Sequence, residues 1–136
     1  MSSIKAGVYS KLVSLALTPC VYHRELPQNP SYPATVYDRI DDFPVNHTHD
    51  HLVVGFRKAR FQIDVYALTV AEAEDAMEGY VSALAGFIGP IGNGLSPPQF
   101  TDVSIFDAGA NPDLSFEDEP LLRHIEGRSH DFIVVY

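Results

Sequence analysis

The run from Phe56 to Phe87 constrains the fold most, because two structural periods meet inside it. From Ala59 to Ala67 the residues alternate: Ala59, Phe61, Ile63 and Val65 are apolar, whereas Arg60, Gln62, Asp64 and Tyr66 carry polar groups. A period of two predicts a strand with one face on a core. At Thr69-Val70-Ala71-Glu72 the spacing becomes that of a capping box, in which the Thr69 hydroxyl and the Glu72 carboxylate can each satisfy a free amide at a helix start. Ala73, Met77, Tyr80, Val81, Leu84 and Ile88 then recur at intervals of three and four, away from Glu72, Glu74, Asp75 and Glu78. An amphipathic helix is expected, its acidic first turns suited to the positive end of its dipole. A strand feeding straight into a helix that folds back over the sheet is the unit on which the rest must dock.

A first helix is expected over about residues 3–17, where Ile4, Val8, Leu12, Leu15 and Ala16 form one stripe and Thr18-Pro19 stops it. Val21-Tyr22 reads as a very short strand, and Leu26 to Pro33, with three prolines, as extended loop. Ala34 to Ile40 is a strand, followed by a polar loop from Asp41 to Asp50 and a second strand from Leu52. The two form an antiparallel pair with a connection longer than an ordinary hairpin loop. Along the second strand Leu52, Val54 and Phe56 share one parity, and Ala59, Phe61, Ile63 and Val65 the other. The apolar face therefore flips near Arg57-Lys58, which calls for a bulge or for a subunit interface outside the domain. After the second helix, Gly89 to Pro98 reads as turn and loop, Phe100 to Phe106 as strand, Asp107 to Asp113 as loop, and Glu117 to Pro120 as an acidic tip. Asp131 to Tyr136 reads as strand, and Leu121 to Ile125 as strand in preference to a single helical turn with Pro120 at its first position. The expected architecture is α+β, a mainly antiparallel four-stranded sheet with two helices packed on it in the order helix, strand, strand, helix, strand, strand. The last strand is apolar on both faces, which suits only a central or covered position.

The 136 residues suffice for a single domain over 1–136 with one modest core. No apolar run approaches the roughly 20 residues of a membrane span, and Met1-Ser2-Ser3-Ile4-Lys5 lacks the pattern of a signal peptide. The single Cys20 leaves no internal disulfide and fits a reducing compartment. A formal charge of -9 argues against wrapping nucleic acid by phosphate neutralisation, yet allows a protein that lets DNA pass without holding it.

His47-Thr48-His49-Asp50-His51 is the one arrangement that looks like a chemical site. On an extended segment His47, His49 and His51 point one way and could reach a metal. The string is one residue short of the His-x-His-x-Asp-His zinc motif and has no glycine-rich companion loops, so a solvated polar loop is the plainer reading. Cys20 has no adjacent base. Ser129, His130 and Asp131 are neighbours on a strand, face alternate sides and cannot form a triad. Gly89, Gly92 and Gly94 lack the lysine and following helix of a phosphate loop, and Asn46-His47-Thr48 matches a glycosylation acceptor with no other sign of secretion. No catalytic, cofactor or metal residue is assigned and no enzyme is expected. The cluster Arg57-Lys58-Ala59-Arg60 is unusual in an acidic chain; alternating sides, it reads as a solvated strand face or as charge that meets acidic elements of a neighbouring copy.

Three stretches and the order of elements resemble the tail completion, or tail terminator, proteins of long-tailed bacteriophages and gene transfer agents. The first is the N-terminal helix running into Val21-Tyr22 and the proline-rich piece; the second is Tyr32 to Ile40, similar to the family's first long strand. The third is Arg60 to Ala67 followed by Ala71-Glu72-Ala73, similar to its central strand-to-helix signature. The resemblance spans nearly the whole chain and rests on core and capping residues. It implies a non-enzymatic virion protein of the tail or neck, assembled in the bacterial host cytoplasm. Such a protein forms a self-associated ring, a hexamer, that caps the tail tube protein, ends its polymerisation and docks the head–tail connector or stopper protein. DNA crosses the lumen without specific binding, and no membrane is involved. Under this reading Arg57, Lys58, Arg60, Asp64 and Tyr66 form the subunit contact, and Asn46, His47, His49 and Asp50 the loop that touches tube or connector. The alternatives are a metal-binding protein or metal-dependent enzyme built on His47, His49, Asp50 and His51, and another neck or head-completion component.

Overall fold

The alternating run is the long strand β3 (Val53–Ala67), and the capping box opens helix α2 (Val70–Leu84). Thr69 sits at the N-cap in extended conformation, and its hydroxyl accepts the Glu72 amide at 3.2 Å. One face of β3, Ala59, Phe61, Ile63, Val65 and Ala67, is buried, as are Ala73, Ala76, Met77, Tyr80 and Leu84 of α2. The helical stripe ends at Leu84. Gly86 takes a φ of 80° and turns the chain, so Ile88 is not a helix residue but an exposed residue of an edge strand. Helix α1 (Ile4–Leu15) buries Ile4, Val8 and Leu12 and stops earlier than Thr18-Pro19 predicts, because Ala16 adopts a left-handed φ of 51°. The computed structural model describes residues 4–27, 30–46, 53–91, 100–118 and 123–136.

Among the described residues the sheet has seven strands, which overturns the expected four-stranded sheet and its element order; the fold remains a mixed α+β one, with two helices among those residues. Besides β3 it contains β1 (Cys20–His23), β2 (Ala34–Asn46), β4 (Ile88–Ile91), β5 (Phe100–Ala110), β6 (Leu114–Asp118) and β7 (Arg123–Val135). Their order is β1-β2-β3-β7-β5-β4, with β6 paired to β7 beside β5. The pairing of β1 with β2 is parallel; the others are antiparallel.

Each departure from the sequence reading has a local cause. Strand β2 runs on to Asn46, so Asp41 to Asn46, expected as loop, are strand paired with β3; the ladder absorbs register shifts at Arg39/Asp41 and Pro44/Asn46. The segment Asp107 to Ala110 is strand because the Asp107 carboxylate accepts the Gly109 amide at 2.8 Å and Gly109 takes a φ of 105°, forming a bulge that lets β5 continue. Part of the glycine- and proline-rich segment pairs as β4, and part of the acidic tip as β6. The strand apolar on both faces, β7, occupies the centre of the sheet, between β3 on one side and β5 with β6 on the other.

Both helices lie on one face. Helix α2 packs on β3, β7 and β5, and α1 touches β1, β2 and β4. Since β1 and β4 are the two ends of the sheet order, the sheet curls around α1. Among the described residues no helix lies over the opposite face.

Candidate functional site

Residues directly opposite in an antiparallel ladder point to the same side. The β3–β7 register pairs Arg60 with Ile133, Gln62 with Asp131, Asp64 with Ser129 and Tyr66 with Gly127. With Phe61 and Phe132 directed into the helix-covered core, these pairs fall on the open face. The bulge in β5 then delivers Asn111 to the same side, where its amide reaches across to β7.

The outcome is a connected polar network. Arg60 donates from Nε and Nη2 to one oxygen of Asp131, at 2.9 and 2.8 Å. Asn111 donates to the other Asp131 oxygen at 2.7 Å and to Ser129 Oγ at 3.0 Å. Gln62 donates to both oxygens of Asp64 at 3.1 and 3.2 Å. Asp64, Ser129 and Asp131 are buried although no helix among the described residues lies over them. Burial pushes the Asp64 carboxyl above its ordinary range; hydrogen bonds from Ser129 and Gln62 pull it back, and the nearby Asp131 and Asp38 push it up again. Burial, then the Asp64 charge, raise Tyr66 to about 12.

An apolar margin borders this network. Phe106 pairs with Ile133 and Phe116 with Ile125, so both aromatics stand on the open face, and both are exposed. Tyr66 meets Phe116 edge-on, with ring centroids 5.7 Å apart at 71°. Gly127 lies between them in the ladder, and a Cβ there would run into the Leu114 carbonyl.

The helix-covered side holds a second group of charges. His130 Nε2 lies 2.6 Å from Asp107 Oδ1, and that hydrogen bond, with the Gly109 amide, holds the Asp107 carboxyl below its ordinary range. Arg128 reaches Glu74, Asp113 and Glu126 at 3.4, 3.5 and 3.6 Å.

Of the contact residues expected from sequence, Arg60, Asp64 and Tyr66 share the open face, with Lys58 at the same parity. Arg57 has the opposite parity; it is exposed, and its backbone exchanges two hydrogen bonds with Tyr136. Asn46 ends β2 opposite Val53, while His47, His49, Asp50 and His51 lie outside the described residues. Among the described residues no three histidine, cysteine or carboxylate side chains gather as a metal site, no buried side-chain nitrogen or oxygen lacks a partner, and no helix is long and apolar enough to cross a membrane. Ser129 and Asp131 do lie on the opposite side from His130, as alternation requires, so no triad forms. Sequence reasoning missed Asn111, Ser129 and Asp131 as one group. The alternation within β7 was the available signal, since it separates Ser129 and Asp131 from His130 and Phe132. No family model matches the chain, and no curated protein matches it.

Proposed function

We propose that this chain is a ring-forming structural subunit of the tail terminator type, present in the tail or neck of a bacteriophage-like particle. Six copies close on the end of the tail tube, stop its growth, and offer the far surface to the head–tail connector or stopper. DNA crosses the lumen without being held, in keeping with the formal charge of -9. The protein is assembled in the host cytoplasm, and its role is assembly, with no chemical step.

One observation supports this above the rest. Among the described residues the sheet is helix-covered on one face only, and on the other a satisfied polar network is bordered by exposed Phe106 and Phe116. Partly exposed aromatics beside prearranged polar groups are the composition of a protein–protein interface. The network has its hydrogen bonds made already, and the groups found there form no nucleophile–base pair. Polymerising tail tube protein with and without this chain tests the reading by electron microscopy. Short tubes closed at one end by a ring are expected; tubes that grow to the same length with bare ends would overturn it.

A further inference from the structure

Exposed apolar surface stands on both sides of the sheet. On the open side, Ile88 pairs with Ser104 and Ser104 with Val135, so Ile88 shares that face with Phe106, which pairs with Ile133. Ile88 is 80% exposed and Phe106 53%, with Ile133 and Val135 half-buried next to them. Direct and diagonal partners in a ladder lie within reach of one another, so these four residues form one apolar ridge at the β4 end of the sheet.

On the other side, α1 is apolar nearly all round. Ile4, Val8 and Leu12 enter the core, yet Tyr9 and Val13, one turn apart, are 44% and 48% exposed. A helix face left to water is ordinarily polar. Tyr9, Val13, Ala16 and Leu17 line a groove of about 680 Å³ that continues along Thr18 to Tyr22 at the β1 end of the sheet, and no lining residue is charged.

The charges around the two surfaces are complementary. Helix α1 carries Lys5 and Lys11 and no acid, and Lys5 lies one turn before Tyr9. Across the rows from Lys58 to Tyr66 the open face carries Asp38, Asp41, Asp64 and Asp131 against Lys58 and Arg60. Arg60 answers Asp131, whereas the Asp64 carboxylate is held by the neutral Gln62 and Ser129. A basic, apolar helix therefore suits an acidic sheet face with an apolar ridge. The ridge and α1 of one molecule lie on opposite sides of its sheet and cannot meet.

We propose that the open sheet face of one copy docks on α1 of the next, with Ile88 and Phe106 seated in the α1–β1 groove and Lys5 turned to the acids. A helix then lies on both faces of each sheet. The contact joins two different surfaces, so it is heterologous, repeats front to back, and closes into a ring where the rotation permits. It rests on the ring reading above and names the junction within it.

Cys20, the chain's single cysteine, lines the groove and serves as the probe. Ile88→Cys and Phe106→Cys place a second thiol on the ridge. Each is oxidised with copper–phenanthroline under conditions where the native protein associates, tail tubes included. At least one is expected to give a ladder of linked subunits on a non-reducing gel, lost in combination with Cys20→Ser, because a heterologous contact links copy after copy. Lys5→Glu and Phe106→Ser, checked by thermal melts for folding, should each weaken association at least about tenfold. Absence of linkage from both cysteine variants, linkage that survives Cys20→Ser, or Lys5→Glu and Phe106→Ser proteins that assemble like the native one would overturn the docking and leave the ring reading standing. A native protein that stays monomeric both with and without tail tubes would overturn the ring itself, and the docking with it.

Discussion

Arg60 places two donors on a single oxygen of Asp131, 2.8 and 2.9 Å away across the β3–β7 ladder, while Asn111 holds the other oxygen at 2.7 Å. The acid is buried and the guanidinium half-exposed. The open face is thus organised by the single chain before any partner arrives. Arg60→Ala should lower stability by about 1–2 kcal/mol, since Asn111 still satisfies part of the stranded carboxylate. A shifted urea midpoint with unchanged slope would show it; an unmoved midpoint would contradict the network.

Asp64 makes a pH-dependent contribution of the opposite sign to an ordinary paired acid. Its carboxyl is raised in the folded state, chiefly by burial, so the folded form binds the proton more tightly than the unfolded one. Ionisation therefore costs stability. The cost is absent below the unfolded value near about pH 4 and complete above the raised folded value. Asp64→Asn should accordingly stabilise the protein at pH 7, with the gain shrinking to nothing as the pH falls through that window. A gain independent of pH would contradict the assignment. Asp107 behaves in reverse: held low by His130, it contributes stability above its unfolded value that is lost as the pH falls through its folded one.

Two glycines should respond differently to alanine. At Gly127 a Cβ would strike the Leu114 backbone, so Gly127→Ala must push β6 off β7, at about 3 kcal/mol. At Gly79 the Cβ meets only the movable end of Leu17, and alanine gains helix propensity in α2, so Gly79→Ala should be close to neutral. Thermal melts of the two variants give the comparison directly, and equal melting temperatures would be inconsistent with it.

A chain of hydroxyls ties the helical layer to the sheet edge. Tyr80 on α2 lies 2.7 Å from Thr35 on β2, which lies 2.7 Å from Thr18 before β1, all three buried. Tyr80→Phe keeps the ring's packing and removes one link. A loss of about 1 kcal/mol in denaturant unfolding is expected, and no loss would mean that the Thr18–Thr35 pair suffices by itself.

The parts of the fold visible in the sequence are those with a clean local period. The β3-to-α2 unit, the apolar stripe of α1 and the need of the last strand for a central or covered position follow from residues close together in the chain. What the sequence hid was pairing. Gly109 and Asp107 read as loop and act as a bulge inside β5; Ile88 reads as the end of the helical stripe and Gly89 to Ile91 as loop, yet all four belong to β4. The parallel match of Cys20 to His23 with Ala34 to Tyr37 has no periodic signature, because its partners are separated by the proline-rich segment. The open-face group was hidden for the same reason. Asp64, Asn111 and Asp131 come together only once β3, β5 and β7 are in register, although alternation along β3 by itself puts Arg60, Gln62, Asp64 and Tyr66 on one face.

The most direct test of the ring is the mass of the untagged protein in solution, measured by light scattering over a concentration series with and without tail tubes. The account predicts about six times 15.0 kDa, either for the free protein or for the species recruited to tube ends. A 15.0 kDa monomer at every concentration, unchanged when tubes are added, would contradict it.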